Sequence, residues 1–471
     1  MGVKPLFYTR QGSAFLFASE LKALLAHPAV KDELDGEGLA EILVMGPART
    51  PGHGIFCGMA ELRPGHYLNY DRNGLRIKKY WALESRPHED DMETTALKVR
   101  ELLEDTVSRQ VVADVPVCTL LSGGLDSSAL TALAAREFKK AGWGTLHSLS
   151  VDYIDNESYF KPGAFQPDAD SAWVGRVSAS LGTSHTYIEI DNRELAAALL
   201  PALIANDLPG MADIDSSLYL FCREIKKTAT VALSGECADE VFGGYPWFHK
   251  QESLDTLSFP WIRMLHERMS MLSPEILEKI QPKNYLDMRY REALEEVSRL
   301  PGEDAREARI RELFYLNITR FMPTLLDRKD RMSMACGLEV RVPFSDHRLL
   351  EYVWNIPWKM KTCDQMPKGI LRRALRGLLP ADVLQRPKSP YPKTHSPSYM
   401  EAVREGVEKI LADSTSPLLP LIDTVALREA LQSSGNFFAL PWFGQLMGDA
   451  QYLAYLIQVN TWLGEYGVTI G

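Results

Sequence analysis

The sequence predicts an α/β protein whose main part is a doubly wound parallel sheet. Between about residues 93 and 235, short apolar stretches alternate with helix-like stretches, which is the pattern of parallel strands joined by helical crossovers. The stretch from about Ser253 onward is mostly helical, and the first eighty residues consist of strands with one helix. We therefore expect a β-rich N-terminal region, a parallel sheet and a mostly helical C-terminal part.

The N-terminal region predicts two hairpins around one helix. "PLFYTRQGSAFLFAS" contains two apolar strands around a Gly-Ser turn, and "GHYLNYDRNGLRIKKYW" turns between Asp71 and Gly74. Between them, "SELKALLAHP" predicts a helix capped by Ser19 and ended by Pro28. The acidic stretch "ALESRPHEDDMET" has no periodicity. We therefore predict one domain over 1–85, a linker over 86–94 and a second domain over 95–471.

The second domain begins with the predicted helix "ETTALKVRELLEDTVSRQVV" and then alternates. The predicted strands are "VPVCTLL", "LHSLSVDY", "HTYIEI" and "TATVALSG". Helices are predicted after the first strand, through "AAREFKKAG", and before the third, where "SAWVGRVSASLG" ends on the C-cap Gly182.

Composition narrows the class of protein. The chain has 471 residues and a net charge of −10, from 52 basic and 62 acidic residues, which argues against a general binder of nucleic acid or anionic membranes. The six cysteines form no C-x-x-C pair and are typical of reduced thiols in a cytoplasmic protein. No transmembrane or signal-peptide pattern is present. We expect no nucleic-acid or membrane partner, and a homodimer stays one option.

The stretch "LLSGGLDSSALTAL" predicts an anion site between a strand and a helix. Free N–H groups and the helix dipole at such a helix start favour a phosphate, and Asp126 can hold Mg²⁺ there. The alternative is an ordinary βα turn with a serine N-cap. The loop lacks the lysine of a Walker A motif and the spacing of a dinucleotide fingerprint. Its candidate phosphate ligands are Ser122, Gly123, Gly124, Leu125, Asp126, Ser127 and Ser128.

"LSGECADEVFGGYPWFH" repeats this arrangement at a second strand end. Ligands of open parallel sheets bind beyond the carboxyl ends of the strands, so both loops are expected to face one crevice. Glu236 and Asp239 are three residues apart, and a short helical turn would place them on one face. The alternative is a surface loop with solvated acidic side chains.

Together with "DRMSMACGLEVRVPFSDHRL" and "KGILRRALRGLLPADVLQRPK", these two motifs resemble the glutamine-dependent asparagine synthetases over nearly the whole chain. The resemblance implies an N-terminal Ntn-type (class II) glutamine amidotransferase domain and a C-terminal synthetase domain of the ATP-pyrophosphatase, or adenine nucleotide alpha hydrolase-like, type. It also implies an enzyme that uses ATP and Mg²⁺ to adenylate the β-carboxylate of aspartate. Ammonia, supplied freely or by glutamine, then displaces AMP to give asparagine.

The resemblance assigns roles to individual residues. The loop from Ser122 to Ser128 would bind pyrophosphate, and Asp126 and Asp239 would coordinate Mg²⁺. Glu236 would act as the base for ammonia, and Lys368 would stabilise the departing pyrophosphate unless it is a solvated surface lysine. The implied contacts to the nucleoside and AMP are Leu120, Val151, Ser234 and Gly235.

For two further arginines and one segment, the sequence allows both a functional and a structural role. Arg328 and Arg341 are candidate phosphate or carboxylate partners, with buried structural salt bridges as the alternative. "DLPGMADIDSSLYLFCREIKK" lies where the family contacts its amino-acid substrate, but its pattern also fits an ordinary amphipathic helix.

The family's glutaminase domain starts with Met followed by a catalytic cysteine, whereas Gly2 follows Met1 here and the nearest cysteine is Cys57. The resemblance therefore implies that the first half of this domain is absent. Either the full protein is longer, or a short enzyme uses free ammonia; we favour the first, because half a domain exposes apolar edges. Cys57 is a poor substitute nucleophile because no helix start lies beside it. We expect this chain not to hydrolyse glutamine.

Two other functions are kept as alternatives. One is the same adenylation chemistry on another carboxylate, as in β-lactam synthetases or lasso-peptide cyclases. The other is a non-catalytic binding partner, against which the presence of Asp126, Glu236, Asp239 and Lys368 argues.

Overall fold

The N-terminal region folds into the two predicted hairpins with short additional elements. A computed structural model of the chain describes residues 1–160, 169–433 and 437–471. Strand β1 pairs with both β2 and β4, and β5 pairs with β6 across the predicted turn between Asp71 and Gly74. The elements are β1 (Phe7–Gln11), β2 (Ala14–Ala18), α1 (Leu21–Leu25), β3 (Glu33–Leu34), α2 (Gly36–Ala40) with a π-helical continuation (Glu41–Met45), β4 (Met59–Glu61), β5 (His66–Asp71) and β6 (Gly74–Lys79).

The predicted serine cap of the first helix is wrong. The residue that precedes α1 is Glu20, and its side chain makes no capping hydrogen bond. Instead, the Leu21 N–H donates to Asp207 Oδ2 at 2.7 Å. The helix start is therefore satisfied by a carboxylate from a distant segment, which a local capping rule does not detect.

Five parallel strands form the central sheet in the order β11 (Glu339–Arg341), β10 (Val231–Leu233), β7 (Val117–Leu120), β8 (His147–Tyr153) and β9 (Ser184–Ile190). Four of them are the predicted strands, and the fifth, β11, lies within the stretch that the sequence predicts as helical. Crossover helices join the strands. The elements are α3 (Met92–Gln110), β7 (Val117–Leu120), α4 (Leu125–Ala141), β8 (His147–Tyr153), α5 (Asn156–Tyr159), α6 (Asp170–Leu181), β9 (Ser184–Ile190), α7 (Asn192–Ala197), α8 (Leu199–Asn206), α9 (Asp213–Ile225), β10 (Val231–Leu233) and, later in the chain, β11 (Glu339–Arg341).

The sheet is covered on both faces, as a doubly wound fold requires. In β10, Val231 and Leu233 belong to the main hydrophobic core, whereas Ala232 belongs to a second cluster. Successive side chains of a strand point to opposite faces, so the two clusters lie on opposite sides of the sheet. Helix α4 contributes Leu130 to the first cluster, and α9 contributes Phe221 to the second. The predicted fold class is confirmed.

Helices dominate the remainder of the chain, as predicted. No helix among the described residues is both long and apolar enough to cross a membrane. The helices are α10 (Ala238–Phe242), α11 (Gln251–Asp255), α12 (Leu265–Met269), α13 (Pro274–Ile280), α14 (Pro282–Glu295), α15 (Ala305–Leu316), α16 (Met322–Ala335), α17 (His347–Asn355), α18 (Trp358–Lys361), α19 (Gly369–Ala374), α20 (Ala381–Gln385), α21 (Pro397–Ala412), α22 (Thr424–Gln432) and α23 (Asp449–Glu465).

The N-terminal region is joined to the rest of the chain by core contacts, ion pairs and a strand pair. Phe7 and Phe56 belong to the same hydrophobic core as Trp462. Arg49 forms an ion pair with Asp327 on α16, with an N–O distance of 2.8 Å. The last strand, β12 (Thr469–Ile470), runs parallel to β3 and pairs with it. A segment of the N-terminal region and a segment that follows α23 therefore pair in one small sheet.

Candidate active site

A cavity of about 210 Å³ lies beyond the carboxyl ends of β7, β8 and β10. Both glycine-serine loops contribute to its wall, as expected for a ligand crevice of a parallel sheet. Lys368 reaches the same wall from the segment before α19. The candidate residues that line the cavity are Leu120, Ser122, Gly124, Leu125, Asp126, Ser127, Val151, Ser234, Gly235, Glu236 and Lys368. Gly123, Ser128 and Asp239 lie outside this lining.

The first loop leads directly into α4, whose first turn faces the cavity. The helix begins at Leu125, and Gly124 precedes it without a side-chain cap. The Ser122 N–H donates to Ser127 Oγ at 3.1 Å, which fixes the loop against the first turn. Uncapped N–H groups at the start of a 17-residue helix favour an anion there.

Two glycines bring neighbouring segments close to this loop. Gly123 has a φ of +70°, and a Cβ there would lie 2.7 Å from Trp173 Cβ. A Cβ on Gly235 would lie 2.8 Å from the Ser127 nitrogen. The absence of a side chain at Gly123 lets the loop pack against α6. Gly235 brings the two loops into direct contact.

Lys368 joins the acidic residues of the two loops. Its Nζ lies 2.5 Å from Asp126 Oδ2 and 2.5 Å from Asp239 Oδ1, and its side chain is 4% exposed. Its backbone has a φ of +58°, a left-handed conformation that costs a residue other than glycine about 1 kcal/mol or more. The solvated alternative for Lys368 is therefore wrong, because this side chain is buried between two carboxylates.

The second loop leaves space for this arrangement. A Cβ on Gly244 would lie 1.9 Å from Asp239 Oδ1 and 2.3 Å from Lys368 Cε. Lys388 forms a second ion pair with Asp239. Two half-buried carboxylates and two lysines therefore form one cluster, of which Asp126, Lys368 and Lys388 line the cavity.

The two carboxyl groups differ in pKa although they share Lys368. Burial raises the pKa of Asp126, and the nearby lysines offset this shift only in part. Burial also acts to raise the pKa of Asp239, but Lys368 and Lys388 outweigh it and hold the pKa well below its usual range. Burial lowers the pKa of Lys368, yet Asp126 and Asp239 raise it above its usual value. The site thus holds charged partners in a buried environment.

This acidic pair also fits a divalent cation. Asp126 Oδ1 is buried and has no hydrogen-bond partner. Within the described ranges, no group of three or more His, Cys, Asp or Glu side chains could hold a metal ion. Mg²⁺ is commonly bound by one or two carboxylates together with substrate phosphates, so Asp126 and Asp239 suit a metal that arrives with a nucleotide.

Glu236 also belongs to the second loop, but it contacts a different lysine from the one that contacts Asp239. Cys237 has a φ of +76°, so the helical turn starts only at Ala238. The expectation that Glu236 and Asp239 share one helical face is therefore wrong. Glu236 Oε2 instead lies 3.1 Å from Lys329 Nζ on α16.

Four basic residues of the cavity wall were missed by the sequence analysis. Arg386 donates to the Ser122 carbonyl oxygen at 3.3 Å and forms an ion pair with Asp170. Arg386 and Lys388 lie in the proline-rich stretch "RPKSPYPK", where no local pattern distinguishes them from surface cations. The missed residues are Lys329, Arg372, Arg386 and Lys388.

The two candidate arginines have structural partners. Arg328 Nε donates to Asp215 Oδ1 at 2.7 Å, and both side chains are buried. Arg341 donates to the carbonyl oxygens of Gln110 and Val112 at the end of α3. Neither arginine lines the cavity, so the salt-bridge interpretation fits Arg328, and Arg341 stabilises a helix terminus.

The segment "DLPGMADIDSSLYLFCREIKK" between the two loops contains α9, which is the amphipathic helix that its pattern also predicted. Its residues Leu218 and Phe221 line the cavity. Asp215 on the same helix pairs with Arg328, and Asp213 Oδ2 accepts a hydrogen bond from Gln451.

Cys57 lacks the surroundings of a nucleophile. Burial raises the pKa of its thiol, and the carboxylates of Asp35 and Glu33 raise it further. The remaining cysteines are also free thiols, four of them buried.

Comparison with known proteins agrees with this architecture. The profile of the asparagine synthase family matches residues 98–464, and that of a glutamine amidotransferase domain matches residues 1–81. The asparagine synthetase [glutamine-hydrolyzing] 3 of Bacillus subtilis is 52% identical over 470 residues, covering 100% of this chain and 76% of the relative. Asparagine synthetase [glutamine-hydrolyzing] 1 of the same organism is 27% identical, over 88% of this chain and 67% of the relative. Asparagine synthetase B of Escherichia coli is 29% identical, over 75% and 54%.

A family profile that covers most of the chain, and a relative at 52% identity over its whole length, agree with the motifs and the site geometry. The chain belongs to the asparagine synthase family.

Proposed function

We propose that this protein synthesises asparagine from aspartate by an ATP-dependent, AMP-forming reaction. The observation that carries the proposal is the cluster of Lys368, Asp126 and Asp239 beside an uncapped helix start at the carboxyl end of a parallel sheet. Membership of the asparagine synthase family supports it, as does the 52% identity to an asparagine synthetase of Bacillus subtilis.

In the first step, the β-carboxylate of aspartate attacks the α-phosphorus of ATP, and pyrophosphate leaves as β-aspartyl-AMP forms. The Ser122–Ser128 loop and the first turn of α4 would bind the phosphates, while Leu120, Val151, Ser234 and Gly235 would contact the nucleoside. Lys368 would stabilise the negative charge on the departing pyrophosphate. Asp126 and Asp239 would hold Mg²⁺, which neutralises phosphate charge when bound.

In the second step, ammonia attacks the activated carbonyl carbon, and AMP leaves with its electron pair. The attacking nitrogen must lose a proton, and Glu236, which lines the cavity, would accept it. Adenylation is needed because a free carboxylate is a poor acyl donor.

We further propose that residues 1–85 belong to a glutamine amidotransferase domain, that 86–94 form a linker and that 95–471 form the synthetase domain. The matches at 1–81 and 98–464 support these boundaries. In full-length members of the family, glutamine would supply the nitrogen. In the chain described above, free ammonia would supply it.

The test is to incubate the purified chain with aspartate, ATP, Mg²⁺ and ammonium and to quantify asparagine, AMP and pyrophosphate. We expect equal amounts of the three, all dependent on aspartate. Asp126→Ala should abolish AMP formation, because it removes a proposed Mg²⁺ ligand. Formation of ADP and phosphate, or activity with another carboxylic acid but not with aspartate, would contradict the proposal.

A further inference from the structure

Most cations of the cavity wall already have partners at its phosphate-binding end. Lys368 contacts both acidic residues there, Lys388 pairs with Asp239, and Arg386 pairs with Asp170. The Arg372 guanidinium donates to backbone carbonyl oxygens, among them that of Leu384 at 2.5 Å. Lys329 differs from these four because it comes from α16 and faces the Glu236 side of the cavity.

The surroundings of Lys329 leave its ammonium incompletely paired. Its side chain is 5% exposed, and Leu218 and Phe221 line the cavity with it. Among the described residues, Glu236 supplies its one ion-pair contact, at 3.1 Å. An ammonium carries three N–H donors, and a buried charge is costly unless those donors are used. A second anion at this position would therefore be bound favourably.

The position of Lys329 relative to the reacting groups limits what that anion can be. Glu236 follows Gly235, and Gly235 touches the phosphate loop at Ser127. Under the proposed function, the carboxylate that is adenylated would lie at this loop, and Lys329 and Glu236 line the wall of the same cavity. A ligand that reaches both places must carry its two anionic groups a few bonds apart.

We infer that Lys329 binds the carboxylate of the substrate that does not react, so that the site selects short amino acids with two carboxylates. This inference rests on the proposed function and assigns the specificity for aspartate to one side chain. When aspartate binds, the Lys329 ammonium gives up part of its ion pair with Glu236 and contacts the α-carboxylate of the substrate instead. Glu236 stays beside the substrate, where the opposite charge of the α-ammonium group also favours it.

The test uses aspartate and β-alanine, which differ by the α-carboxylate alone. Both retain the carboxylate that is adenylated, and ATP–pyrophosphate exchange without ammonia reports the first step. For Lys329→Met, removal of one partner of a buried charge pair should raise the KM for aspartate by about 30-fold or more. The KM for ATP and that for β-alanine should change much less, so the preference for aspartate over β-alanine collapses.

Two further variants separate recognition from structural damage. Lys329→Arg keeps the charge and should restore part of the affinity for aspartate. Lys361→Met removes a lysine that is equally buried but lies outside the cavity, with its Nζ 3.4 Å from the Trp354 carbonyl oxygen, and should leave the preference for aspartate unchanged. If Lys329→Met does not fold, Lys329→Gln serves with the same expectation.

The outcomes distinguish this inference from the proposed function. Absence of aspartate-dependent exchange in the unmodified chain would overturn the proposed function together with the inference. Normal exchange in that chain, with an unchanged preference for aspartate in Lys329→Met, would overturn the inference alone.

Discussion

Lys368 Nζ lies 2.5 Å from Asp126 Oδ2, although 242 residues separate the two along the chain. The same ammonium contacts Asp239 at 2.5 Å, so one buried cation joins the loops that follow β7 and β10.

Replacement of Lys368 by methionine should reduce the rate of pyrophosphate release by about 100-fold or more, because it removes a cation at the developing charge. It also leaves Asp126 without its lysine partner, whereas Asp239 keeps only its ion pair with Lys388. Single-turnover kinetics with saturating ATP would measure the effect. Lys359→Met, at an exposed position on α18, should behave as the unmodified chain does, and equal rates in the two variants would contradict the assigned role.

Gly244→Ala should damage the site from the backbone side. The new Cβ would lie 1.9 Å from Asp239 Oδ1 and 2.3 Å from Lys368 Cε, so the ion pair must open or the loop must shift. We expect a loss of adenylation activity comparable to that of Lys368→Met. Gly464→Ala on α23 is a matched control because no atom lies within 4 Å of its Cβ. Full activity of Gly244→Ala would show that the pair is not needed.

Glu240 should make stability depend on pH. Its Oε1 accepts a hydrogen bond from the Tyr245 hydroxyl at 2.5 Å, and burial, Asp239 and Glu236 raise its pKa to about 8. The folded state therefore binds this proton more tightly than the unfolded state does. Its contribution to the free energy of unfolding is fully present below the unfolded pKa of about 4.5 and is lost as the pH rises towards about 8.

Glu240→Gln cannot ionise and should lack this dependence. Relative to the unmodified chain, the variant should gain free energy of unfolding between about pH 5 and about pH 8. Urea denaturation at the two pH values would measure the difference. A constant difference between the two proteins would show that Glu240 does not titrate in this range.

The purified chain should not release glutamate from glutamine. Burial, Asp35 and Glu33 raise the pKa of the Cys57 thiol, so little of the reactive thiolate forms near neutral pH. A glutaminase assay on the purified chain, with ammonium-dependent asparagine synthesis as the positive control, would test this expectation. Glutamate release that disappears in Cys57→Ala would contradict it.

The sequence predicted the parts of the fold that depend on local pattern. Alternating apolar stretches and glycine-serine turns identified four of the five strands of the central sheet and both loops that reach the cavity. The strand β11 was missed because it has three residues inside a helical stretch and is defined by its pairing with β10. The cap of α1 was missed for the same reason, since it is provided by Asp207 from far along the chain.

The candidate site likewise contains residues that the local sequence predicts and residues that it does not. Asp126, Ser234 and Gly235 lie in motifs whose residue types already indicate a phosphate site. Lys329 and Lys388 have no local signal that distinguishes them from surface lysines, and only the packing of α16 and of the proline-rich stretch brings them to the cavity. The resemblance supplied Lys368, which the residue pattern alone did not favour.

The pairing of β12 with β3 has a consequence for folding. The Gly471 N–H donates to the Leu34 carbonyl oxygen at 2.9 Å, so the N-terminal region is held in part by a strand that lies far along the chain. Because contacts of such long sequence separation form slowly, attachment of the N-terminal region is expected to be a late event in folding.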